Sequence, residues 1–483
     1  MKYLIVESVA AKPHLETAGE IALDLLEGGQ EVHFAFVGNG LTWTDCALPD
    51  WLKWFGCSYE KRVRQFERII AARGISVTSP PGLPDEIIKG CRVFANGFSG
   101  DLSDLKRYRY GGAQLGMGVA SSLISWAGDG EFDVLQNGEV VGCALFSAAL
   151  TFEKVRVIIH NARPDVIITF NGRFATCRPI VEAALTEGVY LQRHERGATF
   201  DRYALFDESI HSAAYVRRRI VELWSQAEPR ERESVAHSFF VRRRNGDGIG
   251  WYSFVDHQIQ VNVPPRVEEV RRVVYFSSSD DEYAAISDTV EPGSWGEQLQ
   301  AVQALIDTCA EFDDIELLIR VHPHIKKKAS VARARWNSLT GKNVRIIPAE
   351  STVDSYGLLD SADAVVTYGS TIGIEAAYWG KPSVLLGPST YAGLGTCLEP
   401  KSKAELAQLL TSSAGLSGQR RENCLPYGYY YLSYGNRYKY YEPESLSEGR
   451  FLGQRLDWDV FPFRVLRKIG VGRIYNTIIQ GMR

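Results

Sequence analysis

Residues 365–386 read Val-Val-Thr-Tyr-Gly-Ser-Thr-Ile-Gly-Ile-Glu-Ala-Ala-Tyr-Trp-Gly-Lys-Pro-Ser-Val-Leu-Leu, and this run constrains the fold more than any other stretch. A β-branched apolar run stops at Gly369. The hydroxyl residues Ser370 and Thr371 follow, then a short helical stretch, Gly380, and a second apolar run after Pro382. That pattern is a strand, a tight turn, a helix and a strand, the unit that joins parallel strands. Ser370 and Thr371 stand where the helix begins, and unpaired amides with a partial positive charge make such a place a seat for phosphate. Glu375 lies four residues beyond Thr371, on the same helix face, within reach of hydroxyls on a group attached to that phosphate. Phosphate and sugar on one face suggest a nucleotide.

The alternation recurs along the chain. Strands are expected at 2–6, 32–37, 75–77, 166–170 and 189–191, with helices at 15–27, 60–73, 151–162 and 179–187. Residues 92–150 are richer in Gly and Ser and fit the sheet pattern poorly. Residues 208–245 read as charged helix ending near Arg242-Arg243-Arg244, and Pro264-Pro265 marks a break. Beyond it a second series begins, with strands at 273–276, 317–321, 344–347, 364–367 and 384–386 and helices near 297–311 and 401–411. The fold class is therefore α/β, with two Rossmann-like domains facing a cleft. The expected division is 1–265 for the first domain, 266–415 for the second and 416–483 for a C-terminal segment.

Bulk properties narrow the function. A chain of 483 residues exceeds one ordinary core, and 45% hydrophobic with 23% charged residues fits a soluble globular protein. The formal net charge of −4 supplies no overall basic field for nucleic acid. Eight scattered cysteines contain no C-x-x-C pair, which argues against a zinc knuckle or a disulfide framework and fits a reducing cytosol. The first residues turn acidic too soon for a signal peptide, and no apolar run has the length to span a bilayer. A cytoplasmic protein is expected, acting from the membrane surface if it acts there at all.

In open α/β sheets, ligands collect at the carboxyl ends of strands. In the second series, Ser277-Ser278-Ser279-Asp280-Asp281-Glu282, His322-Pro323-His324 and Gly369-Ser370-Thr371 all fall at such ends. Hydroxyls, imidazole and amides donate hydrogen bonds to phosphate oxygens. Ser277 to Glu282 also fits a helix N-cap run, so Ser277 and Ser278 are possible substrate contacts only.

Arg320-Val321-His322-Pro323, then Thr367-Tyr368-Gly369-Ser370-Thr371 with Glu375-Ala376 and Gly380-Lys381-Pro382, resembles the donor domain of GT-B glycosyltransferases. Within them the likeness is to bacterial capsule polysaccharide biosynthesis proteins, the group that includes capsular Kdo transferases. The resemblance covers residues 270–390 well, is weaker over Asn171-Gly172-Arg173, and is weakest at both ends. It implies that His322, Ser370 and Thr371 hold donor phosphate and that Glu375 holds ribose or sugar. It also implies a C-terminal segment that crosses back to the first domain.

The first domain is then expected to hold the acceptor and the catalytic base. Its first strand leads into Glu7 to Thr17 without G-x-G-x-x-G, so no dinucleotide cofactor is expected. Transfer with inversion needs a group to take the acceptor's proton. By resemblance Glu16 is the first choice and His14 the second, although Glu16 equally suits the first turn of a helix. Arg173 suits an anionic substrate or a solvated loop, and Glu195 is a further acid ranked below Glu16. The run Gly111 to Gly118 allows close backbone approach, to sugar or simply in a turn.

No metal is expected: Asp457-Trp458-Asp459 lies in the C-terminal segment, and no cluster shows ligand spacing. Residues 427–441 hold eight tyrosines, suited to packing the C-terminal segment or to stacking on sugars. The tail from Phe461 onward is basic and amphipathic, suited to anionic lipid at the inner membrane face or to docking on the protein. The expected partners are a nucleotide sugar and a saccharide or glycolipid acceptor, and the expected reaction is sugar transfer onto a surface or capsular polysaccharide. Two alternatives stay open: a nucleotide-sugar epimerase of the same fold, and a non-catalytic sugar-nucleotide-binding scaffold.

Overall fold

Leu4, Ile5 and Val6 are all wholly buried in β1 (Lys2–Glu7), yet they serve different cores. Leu4 and Val6 pack into a cluster on one face of the sheet, and Ile5 into another on the opposite face. A parallel strand covered by helices on both sides needs apolar residues at every position, which is why the run is continuous rather than alternating. The computed structural model describes residues 1–45, 58–80, 82–247, 262–279, 293–328, 330–411, 421–446 and 448–457.

After β1 come α1 (His14–Glu27), β2 (Glu31–Phe36), α2 (Tyr59–Ala71) and β3 (Ser76–Thr78). Residues 92–150, which fit no sheet pattern, lie in a helical layer: α3 (Asp85–Asn96), α4 (Leu102–Arg107), α5 (Leu115–Ala127) and α6 (Gly138–Ala162). The predicted helix at 151–162 is the second half of α6. The sheet then resumes with β4 (Val166–Phe170), α7 (Arg178–Thr186), β5 (Tyr190–Arg196) and β6 (Arg202–Phe206). Glycine lets the helical layer close up: a Cβ on Gly116 would stand 2.1 Å from the Leu105 carbonyl oxygen. One on Gly118 would meet the Arg178 Cβ at 2.7 Å. At these two positions the close approach is to the protein's own chain.

The charged stretch forms α8 (Ala213–Gln226) and α9 (Pro229–Arg244). The second series follows as β7 (Arg271–Phe276), α10 (Gln298–Cys309), β8 (Ile315–Arg320), α11 (Ser330–Asn337), β9 (Val344–Ile347), α12 (Ser355–Ser361), β10 (Ala364–Thr367), α13 (Ile372–Tyr378), β11 (Ser383–Leu385) and α14 (Lys403–Thr411). Here too the strand faces divide, Val273 and Tyr275 to one core, Val274 and Phe276 to the other.

The chain ends its described part with α15 (Leu425–Ser433), β12 (Asn436–Arg437), β13 (Tyr441–Pro443) and β14 (Gly449–Phe451). The first sheet has the order β12-β6-β5-β4-β1-β2-β3 and the second β11-β10-β7-β8-β9. In each, the parallel strands taken in chain order run 3-2-1-4-5, the doubly wound Rossmann arrangement. Its topological switch points fall between β1 and β4 and between β7 and β10, so those strand ends define where ligands are expected.

Helices α8, α9 and α15 and the second sheet's α13 share one apolar cluster with Phe206 of β6, so this layer joins the two sheets. Phe240 of α9 stacks on Tyr378 of α13 with centroids 3.9 Å apart. The tyrosine run packs the segment: Tyr430 stacks on Tyr434 at 4.6 Å, and Tyr427, Tyr430 and Tyr441 are buried.

The C-terminal segment does cross back. β12 pairs antiparallel with β6, and the wholly buried Glu20 of α1 accepts the backbone N–H groups of Lys439, Tyr440 and Tyr441 at 2.6, 2.8 and 2.9 Å. Phe451 then packs beside Gly19 and Phe66. The basic tail from Phe461 and the residues Asp280, Asp281 and Glu282 lie outside the described residues. No helix among the described residues is long and apolar enough to cross a membrane.

Candidate active site

The switch point of the second sheet gathers three of the predicted segments. The Ser277 hydroxyl, just past β7, accepts the backbone N–H of His322, just past β8, at 2.8 Å, which ties two strand ends together. The His322 ring caps its own turn, its Nδ1 accepting the His324 N–H at 3.2 Å. The Ser278 N–H donates to Gln298 Oε1 at 2.7 Å, and its hydroxyl is buried with no partner among the described residues. Ser370 and Thr371 follow β10, both half-buried. The Ser370 carbonyl oxygen accepts the Tyr391 hydroxyl at 2.6 Å, which fixes the turn.

Arg243, at the end of α9, reaches across from the linking layer. Its Nη2 donates to Thr371 Oγ1 at 3.1 Å and to Glu375 Oε1 at 3.0 Å, and its Nε to the same Glu375 oxygen at 3.2 Å. The Tyr356 hydroxyl donates to Glu375 Oε2. Glu375 is wholly buried, with both oxygens engaged. Because Glu375 is buried beneath these partners, a direct contact from it to ribose would require neighbouring side chains to move. The neighbouring carboxylate pushes the Arg243 guanidinium further above its already high value, so it stays charged.

These partners decide which way the hydroxyls can act. Arginine and amide N–H groups only donate, so Thr371 Oγ1 and Ser277 Oγ are acceptors in the bonds described, and each keeps a proton to give. The strand ends thus offer donors, as an anionic ligand requires.

At the first switch point, Glu7 ends β1 and its Oε1 lies 2.6 Å from Nε2 of His194 on β5, both side chains being wholly buried. Burial pushes the Glu7 carboxyl up, against the opposing pull of His194. His14 stands beside them, half-buried, its ring 3.7 Å centroid to centroid from Phe170 at the end of β4. Burial, and then the charges of His194, Arg196 and Arg62, hold the His14 imidazole well below its ordinary value, so it is neutral at neutral pH.

Glu16, two residues on, is turned into the core, where Arg62 Nη1 and Nη2 lie 2.9 and 2.6 Å from its two oxygens. Asn171 takes a left-handed backbone, φ 51°, and its amide donates to Glu195 Oε2 at 2.8 Å. Arg173 is buried rather than solvated, its Nε donating to the Ser121 hydroxyl at 2.5 Å.

Sequence reasoning singled out neither Glu7 and His194 as a pair nor Arg243 as part of the second site. Arg243 and Glu375 are 132 residues apart, and an arginine run at a helix end carries no mark of its distant partner. Among the described residues no group of three or more His, Cys, Asp or Glu side chains is placed to hold a metal ion.

Residues 289–414 match the family model described as capsule polysaccharide biosynthesis protein. No curated protein sequence matches the chain. Among solved structures, the β-Kdo 2,4-transferase KpsC of Thermosulfurimonas dismutans is similar at 16% identity and a TM-score of 0.39, over 55% of this chain and 79% of that one. The UDP-GlcNAc 2-epimerase of Neisseria meningitidis is similar at 10% identity and a TM-score of 0.30, over 89% and 97%. The glycosyltransferase SnogD of Streptomyces nogalater is similar at 13% identity and a TM-score of 0.25, over 89% and 94%. These likenesses are weak, and the fold assignment rests on the two strand orders. Over residues 289–414, which hold most of the second of two Rossmann-like sheets, the chain is therefore similar to capsule polysaccharide biosynthesis proteins.

Proposed function

We propose that this protein transfers a sugar from a nucleotide-sugar donor to a saccharide or glycolipid acceptor in the synthesis of a surface polysaccharide. The observation that carries the reading is the group of hydrogen-bond donors at the second switch point. The Thr371 hydroxyl, beside the charged Arg243, and the Ser277 hydroxyl each accept an N–H and keep a proton to give. Donors preorganised in this way suit the phosphate of a nucleotide and the charge that grows on it as the glycosidic bond breaks. In this reading His322, Ser370 and Thr371 hold the donor phosphate, with Ser277 and Ser278 behind them.

The proton of the acceptor hydroxyl goes to His14. It is neutral, half-buried at the end of the first sheet, and has no hydrogen bond to its ring among the described residues. Glu16 serves less well, because taking a proton would break its pair with Arg62. Arg173 and the Asn171–Glu195 pair support the same strand ends and would contact the acceptor. No metal enters this scheme, since protein donors and the Arg243 charge meet the leaving phosphate. The tail from Phe461 would bring the enzyme to anionic lipid at the inner membrane face.

Calorimetry of the whole chain against CMP, CDP, UDP, GDP and their sugars tests the reading. Selective binding of one nucleotide, followed by its release from the matching sugar only when an acceptor is added, is the expected result. Turnover of the nucleotide sugar alone would instead favour epimerisation, and no binding of any of them would overturn the donor site.

A further inference from the structure

We infer that Arg243 is a ligand-binding residue of the donor site, gripping the nucleotide's phosphate, and that Glu375 acts as its positioning residue rather than as a ribose contact. The inference rests on the donor-site reading above and adds a residue from the other half of the chain to it.

Three observations carry it. First, Arg243 makes all its bonds through one edge: Nε and Nη2 face Glu375 Oε1, and Nη2 also meets Thr371 Oγ1. Its Nη1 engages no group among the described residues, and about a third of the side chain is exposed, 32%. With Nε and Nη2 engaged, the two N–H groups of Nη1 are the ones left for an oxyanion, and the guanidinium charge strengthens what they offer to a phosphate.

Second, Glu375 is itself immobilised. It is wholly buried, with Tyr356 donating to one oxygen and Arg243 to the other, so its charge fixes the arginine's rotamer. Third, the same arginine sets the polarity of Thr371. Because Arg243 can only donate, the threonine hydroxyl is an acceptor from it and keeps its own O–H to donate. One side chain thereby offers its own N–H groups beside a hydroxyl whose O–H is left to donate to the same kind of ligand.

The location agrees with the fold. Arg243 closes α9, whose core residues Phe239 and Phe240 pack with α13 and α15 in the layer that joins the two sheets. A phosphate bound there would be held by the second sheet's loops and by the helix that follows the first. Donor binding would then draw on the linking layer as well as on the second domain.

The test is binding of CMP, CDP, UDP and GDP, each paired with its nucleoside, to the full chain and to Arg243→Gln and Arg243→Lys. The nucleotide that the unaltered chain binds should lose about tenfold or more in affinity in Arg243→Gln, as the loss of a charged hydrogen bond implies. The matching nucleoside should bind as before, which a merely structural role would not produce. Arg243→Lys, which keeps the charge but not the fork, should fall between. If Arg243→Gln does not fold, Arg243→Lys carries the test alone.

Unchanged nucleotide affinity in either folded variant overturns the assignment, as does an equal loss for nucleotide and nucleoside. Failure of the unaltered chain to bind any nucleotide overturns the donor reading itself and this inference with it.

Discussion

Glu16 and Arg62 form a two-pronged ion pair sealed in the first domain: the guanidinium nitrogens lie 2.9 and 2.6 Å from the two carboxylate oxygens, and neither side chain reaches solvent. Arg62 spends its remaining bonds on the backbone, donating Nε to the Ala10 carbonyl at 2.7 Å and Nη1 to the Leu456 carbonyl at 2.6 Å. One arginine thus ties α2 to α1, to the loop after β1 and to the returning C-terminal segment. A carboxylate at the start of the first helix invites a catalytic reading in sequence, and here it is the counter-ion of a buried strut.

Glu16→Ala should therefore act on stability before chemistry. Removing one partner of a buried pair leaves the other charge uncompensated, at a cost of about 3–5 kcal/mol. Urea denaturation at neutral pH should show that loss, while nucleotide affinity measured on the folded fraction stays unchanged. A loss under about 1 kcal/mol, the range of an exposed pair, would show that Arg62 does not depend on Glu16.

Two glycines of the helical layer make an opposed pair of predictions. A methyl on Gly116 would sit 2.1 Å from the Leu105 oxygen and 2.7 Å from the Tyr108 oxygen, so Gly116→Ala must push α5 off α4. It should cost about 1–3 kcal/mol, as overpacking does. A Cβ on Gly142 inside α6 meets nothing within 4 Å, and Gly142→Ala should stabilise by about 0.5–1 kcal/mol through helix propensity. Melting curves of the two variants should move in opposite directions, and a shared direction would contradict the packing.

What sequence could and could not disclose follows from the range of each interaction. Strands such as β1 and β10 were legible because a parallel strand writes its double-sided burial as a local apolar run. The turn at Gly369-Ser370-Thr371 was legible because its chemistry lies within a few adjacent residues. Residues 92–150 were not, since their helices pack through small residues whose spacing resembles a loop. The pairs that define the site, Arg243 with Glu375 and Glu7 with His194, span 132 and 187 positions, and only the fold brings them together.

Tyr356→Phe separates the positioning of Glu375 from ligand contact. The Tyr356 hydroxyl donates to Glu375 Oε2, and Tyr356 is buried, so its loss leaves a buried carboxylate oxygen without a donor. A hydrogen bond to a charged group contributes about 1.5–3 kcal/mol, and stability should fall by that order. Arg243 still holds the other oxygen, so nucleotide affinity should fall far less than in Arg243→Gln. Calorimetry on both variants under one set of conditions makes the comparison, and an equal loss would place Tyr356 against the ligand.

His211 should make the protein acid-sensitive. Its Nε2 is buried without a partner among the described residues, and burial, then the charge of Arg173, hold its pKa at about 3 against an ordinary 6.5. In the unfolded chain the imidazole takes a proton as pH falls through 6.5, whereas the folded protein resists until about 3. The unfolded state therefore binds more protons in that window, so stability is full above it and declines as pH falls through it. His14, also held low, adds in the same direction. His211→Gln removes one of these contributions, so its stability should drop less than that of the unaltered chain between about pH 7 and about pH 4.5. Urea midpoints at the two pH values measure this, and parallel declines would show that His211 already takes its proton in the folded state.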